Sequence, residues 1–130
     1  MSGHQRRTAV LDLRTYKLVP GGGAEFDRIF RERALPMLRH HGIDVVGHGP
    51  SLEDGDVYYL MRAFPSAAVR DEQLDAFYGS AEWRDNHRES VLALIQSYHT
   101  VLIELTRLTG GGSSDPASAR RFWRTLASAT

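Results

Sequence analysis

There is no cysteine among the 130 residues. That absence excludes disulfide scaffolds, thiolate metal sites and cysteine nucleophiles together. Net charge is missing as well: 16 Lys and Arg stand against 16 Asp and Glu. A nucleic-acid binder needs a basic excess to displace counterions, so nucleic acid is not expected as a partner. Lys17 is the only lysine, and arginine carries nearly all the positive charge. No apolar run approaches the roughly 20 residues a spanning helix requires, and the opening MSGHQRR has no apolar core for a signal peptide. The expectation is a cytoplasmic protein with no membrane partner.

What is present is ordinary globular material, 42% hydrophobic and 25% charged. This length suits one domain with one core. Residues 1–8 read as a flexible polar N-terminus and 9–107 as the folded domain. TGGGSSD has linker composition, so 108–115 is assigned as a linker. The stretch PASARRFWRTLA then places a short C-terminal helix or tail in 116–130, with Phe122, Trp123 and Leu126 as its apolar edge.

Ala9 to Lys17 alternates with period two. Ala9, Leu11, Leu13 and Thr15 share one face; Val10, Asp12, Arg14 and Tyr16 share the other. The first face is assigned to the helices and the second to function. Pro20-Gly21-Gly22-Gly23 ends the strand, and Phe26, Ile29 and Phe30 then fall at helical spacing, extended by Leu35 and Leu38. Pro36 predicts a bend or break in that helix, and Gly42 a C-cap. Ile43 to Gly49 and Val57 to Phe64 flank a turn cluster and read as a β-hairpin. Ser66 caps a helix reaching Tyr78 before Gly79, and Ser80 caps another with Trp83, His87, Val91, Leu92, Leu94 and Ile95 on one side. Tyr98 to Arg107 alternates again as the last strand.

This order is the α+β, ferredoxin-like β-α-β-β-α-β topology, with helices on one face of a four-stranded antiparallel sheet. The opposite face would leave an apolar patch in water, and a second copy of the chain is the economical cover.

LDLRTYKLVPG with its following helix, the segment VYYLMRAFPSAAVRDEQLDAFYGSAEWR and the closing strand resemble the NIPSNAP family over about Ala9 to Arg107. More distantly the chain is similar to antibiotic biosynthesis monooxygenases, with Val19 standing where a basic residue is usual before the proline. The resemblance implies a dimeric α/β barrel: a homodimer whose sheets face each other, with a pocket for a small, hydrophobic molecule. The pocket is expected between sheet and helices, and which strand face lines it the residues leave open.

Strands one and three are neighbours in this topology, so Arg14 and Tyr16 share a face with Tyr58, Leu60, Arg62 and Phe64. The four residues of strand three are candidates for substrate binding, as guanidinium and phenol groups among apolar walls. Arg14 and Tyr16 are candidate catalytic groups that could hold a carboxylate or an oxyanion, and His48 and His99 are candidate bases. Against this stands a structural pairing of Asp12 with Arg62 across the sheet. His40 and His41 point to different sides of a helix and His87 has no partner at i+4, so neither metal nor cofactor is expected. Gly21 to Gly23 lacks the lysine and hydroxyl of a phosphate loop and reads as a turn. Phe77, Tyr78 and Trp83 read as core packing. Two functions remain: a homodimer holding a hydrophobic metabolite, or a cofactor-free monooxygenase, isomerase or cyclase acting on a polyketide-like or aromatic substrate.

Overall fold

A computed structural model describes residues 8–105. The proposed linker and tail, 108–115 and 116–130, lie outside them. The sheet contains β1 (Val10–Leu18), β2 (Asp44–Pro50), β3 (Val57–Phe64) and β4 (Ile95–Glu104) in the order β2-β3-β1-β4. Every pairing is antiparallel. The α-helices α1 (Gly23–Ile29), α2 (Leu35–His40), α3 (Ala67–Tyr78), α4 (Ala81–Asn86) and α5 (Arg88–Leu92), with a π-helical turn joining the first two, complete the ferredoxin-like arrangement. Among the described residues no helix is long and apolar enough to cross a membrane.

The glycine stretch is turn chemistry. Gly21 takes a positive φ of 79°. The Asp56 carboxylate accepts from the Gly21 and Gly23 amides at 2.9 and 3.2 Å, tying this turn to the loop between β2 and β3. A Cβ at Gly23 would overlap the Gly55 carbonyl. Just upstream of Pro36 the regular α-helix is interrupted: α1 runs into a π-helical turn, Phe30–Ala34, before α2 begins at Leu35. Because proline cannot donate to the carbonyl four residues back and crowds it, a widened turn upstream accommodates the ring. The helix ends where Gly42, at φ 76°, lets its own amide bond Arg39 and the Ile43 amide bond Leu38, a Schellman closure. Ser66 and Ser80 cap α3 and α4 through the amides of Val69 and Trp83.

Two expectations need correction. The last strand begins at Ile95 instead of Tyr98, because the end of β1 claims that backbone: Leu18 pairs with Ile95 and the Val19 amide donates to Leu94. Leu94 and Ile95 therefore leave the helical stripe, and Leu92 is exposed. The second correction concerns the faces of β1. Val10, Tyr16 and Leu18 pack with Tyr58, Leu60 and Phe64 under Phe26, Phe30, Leu74 and Phe77. The face carrying Arg14 and Tyr16 is thus the helix-covered one. Ala9 and Leu11 belong to a smaller cluster with Leu105, and Val46, Met61 and Ile103 pack against it. Filling the gap between sheet and helices takes large rings, and each fully buried aromatic such as Phe64 contributes about 1.5–3 kcal/mol.

Candidate functional site

At the helix-covered face two compartments adjoin. A cleft of about 370 Å³ opens between β1, β4 and α5, lined by Arg14, Tyr98 and Arg88 among others. Behind it an inner cavity of about 30 Å³ lies between sheet and helices, against Leu60 and Arg62. Tyr16, Tyr78, Trp83 and Val91 line both.

A hydrogen-bond network organises their polar wall. Asp12 and Arg62 are register partners on β1 and β3 and wholly buried. Arg62 donates from Nη2 to the Asp12 carboxylate at 3.2 Å, and Arg70 of α3 donates to its other oxygen at 2.8 Å. This is the structural pairing, with a second guanidinium added. Arg62 then donates from Nη1 to the Tyr78 hydroxyl oxygen at 3.2 Å, and Arg14 donates from Nη1 to that same oxygen at 3.3 Å. Arg14 Nε donates to Thr100 Oγ1 at 2.9 Å, and its guanidinium lies 4.9 Å from the centre of the Tyr98 ring. Burial pushes the Tyr16 phenol up to about 12, helped by Tyr78 and opposed by Arg14. Near neutral pH it is a neutral donor, unable to serve as a base.

Of the expected catalytic group, Arg14 and Tyr16 come together here. The two histidines do not join them. His48 is half-buried on β2, where a bulge after Val45 sets both residues on the helix side. There the Tyr58 hydroxyl donates to Asp27 at 2.6 Å and lies 3.0 Å from His48 Nδ1. With its one proton committed to the carboxylate, Tyr58 accepts from Nδ1–H, leaving Nε2 as the lone-pair nitrogen. Burial lowers the His48 pKa against the pull of Asp27, while burial and the Asp27 carboxylate raise that of Tyr58. This chain is separate from Arg14, with the Phe26 ring between Tyr58 and Tyr16. His99 pairs with Thr15, next in line to the Arg14–Thr100 pair, and so projects exposed from the opposite face. Among the expected binding residues, Leu60 and Arg62 line the inner cavity. Tyr58 sits in the histidine chain and Phe64 in the core.

Tyr78, Thr100, Tyr98 and Trp83 were not expected as site residues. A signal existed for Tyr78: two arginines on one sheet face with a single carboxylate between them need a further acceptor. Among the described residues no three His, Asp or Glu side chains gather as they would around a metal ion.

No curated protein matches the chain. Solved structures do. A NIPSNAP-like domain protein from Burkholderia xenovorans is 15% identical, with a TM-score of 0.69 over 75% of this chain and 85% of its own. A NIPSNAP family protein from Agrobacterium tumefaciens is 18% identical, with a TM-score of 0.69 over 78% and 91%. A candidate antibiotic biosynthesis monooxygenase from Bacteroides thetaiotaomicron is 13% identical, with a TM-score of 0.55 over 75% and 87%. At such identities the likeness is one of fold. The model of one family, NIPSNAP, matches residues 11–108, and the chain belongs to the NIPSNAP family.

Proposed function

We propose that this protein is a cytoplasmic, homodimeric binding module for a small, largely apolar metabolite, held in the chamber between sheet and helices. The observation that carries this reading is the adjoining cleft and cavity, walled by aromatic rings with a few converging polar groups. The cleft's 370 Å³ falls within the ~300–1,000 Å³ usual for small-molecule sites. Dimerisation is supported by the other sheet face, where Leu13, Met61 and Ile103 are half-buried and Val101 is exposed. The test is a titration with the neutral apolar dye N-phenyl-1-naphthylamine, read by its fluorescence. Val91→Phe puts a ring into both compartments and should weaken dye binding about tenfold, as a blocked small pocket would. Equal binding by a folded Val91→Phe chain, or none by the wild type, would sink the reading.

The second reading, a cofactor-free monooxygenase, isomerase or cyclase acting on an aromatic or polyketide-like substrate, is favoured by Tyr78. Its oxygen accepts from two guanidiniums, which leaves its proton for an oxyanion in the cleft. Binding ranks first because neither His48 nor His99 reaches that point.

A further inference from the structure

The charges around the chamber do not cancel, and the remainder identifies a ligand class; the inference rests on the chamber being the binding site. Asp12 accepts from both Arg62 and Arg70, and Arg70 also meets Asp71. The guanidiniums of Arg62 and Arg70 thus share the carboxylates of Asp12 and Asp71, and Arg14 stands outside these pairs. Among the described residues its partners are neutral: the hydroxyls of Thr100, Tyr78 and Tyr16 and the face of Tyr98. The cleft wall carries Arg14 and Arg88 and, among the described residues, no carboxylate. A half-buried guanidinium has given up part of its hydration, so a carboxylate or oxyanion placed beside it is bound more strongly than in water.

A second observation lies deeper. Arg62 Nε is buried and, among the described residues, has no hydrogen-bond partner, on a residue that lines the inner cavity. A buried donor left unmet is costly, so a ligand atom that accepts from it gains affinity. The cavity's 30 Å³ exceeds the roughly 10–15 Å³ that a water needs, so it admits a small polar group. The rest of the cleft wall combines four rings, Tyr16, Tyr78, Trp83 and Tyr98, with the aliphatic Val91, Leu92 and Ile95, and the ring faces suit a planar body.

We propose that the chamber takes a planar aromatic or conjugated anion, its carboxylate or oxyanion resting on Arg14 and its ring between the tyrosines and Trp83, with a polar atom able to satisfy Arg62 Nε. Charge is then the selective feature, and the apolar walls supply affinity.

The probes are 2-naphthoate and 2-naphthamide, which share a ring system and differ in charge, titrated into the full chain by calorimetry at pH 7.5. The wild type should favour naphthoate by about tenfold or more, the scale of one charge-assisted hydrogen bond, and lose that preference in 0.5 M salt. Arg14→Gln should abolish the preference while holding naphthamide within about twofold of the wild type. Equal affinities in the wild type, or an Arg14→Gln chain that keeps the preference, overturn the anion inference and leave the chamber standing. Binding of neither probe overturns both. Should Arg14→Gln fail to fold, as read by circular dichroism, the wild-type preference and its salt dependence decide the matter.

Discussion

Asp12 is the residue on which the buried polar network depends. It sits at 0% exposure between Arg62, also at 0%, and Arg70. Removing one partner of a buried ion pair leaves the other's charge without compensation. Asp12→Ala should therefore destabilise the fold by about 3–5 kcal/mol, measured by urea unfolding. Asp12→Ala combined with Arg62→Met should recover much of that loss, since no wholly buried charge then remains and Arg70 keeps Asp71 as its partner. A single-variant loss below about 1 kcal/mol, the scale of an exposed pair, would show that the carboxylate is dispensable. This pairing was legible as two opposite charges on neighbouring strands. The role of Tyr78 was not, because it lies 64 residues from Arg14 and meets it only through packing of α3 over the sheet.

Among the elements, period and punctuation could be read from the residues, and sidedness could not. Ser66, Ser80 and Gly42 mark their helix ends by local bonds, and local bonds are visible in a sequence. Alternation along β1 separates Leu11 from Arg14 but does not say which of them meets the helices. That is settled by Phe26, Phe30, Leu74 and Phe77, which come from other segments. The bulge after Val45 hides the placement of His48 in the same way, since residues three apart in an unbroken strand would face opposite sides. At the turn before α1 the prediction is steric. Gly23→Ala should cost about 1–3 kcal/mol, because a Cβ there overlaps the Gly55 carbonyl. Gly55→Ala, which meets nothing within 4 Å, should stay within about 0.5 kcal/mol of the wild type. Equal melting temperatures for the two variants would refute the close-approach account.

For the whole molecule the issue is what covers the face opposite the helices. Val101 on β4 is 44% exposed there, opposite Leu13 in the register. Val101→Glu should leave the single chain's stability within about 0.5 kcal/mol, as other exposed substitutions do. In sedimentation equilibrium the wild type should run as a dimer at micromolar concentration and Val101→Glu as a monomer. A monomeric wild type would refute the two-sheet assembly. The helix side of β4 is also partly open, with Tyr98 at 62% exposure beside the cleft, so ligand access does not compete with the proposed dimer face.

The strand order has a consequence for how the protein is made. Among the described strands β1 is synthesised first, yet in the finished sheet it lies between β3 and β4. The carboxylate of Asp12 waits 50 residues for Arg62, and the Arg14 side chain 86 for Thr100. A nascent chain on the ribosome can thus close the β1–β3 side early, but it completes the cleft wall only when its last strand leaves the exit tunnel. Until then the helices have a sheet to pack on, and the chamber lacks the side that Tyr98 and Thr100 supply.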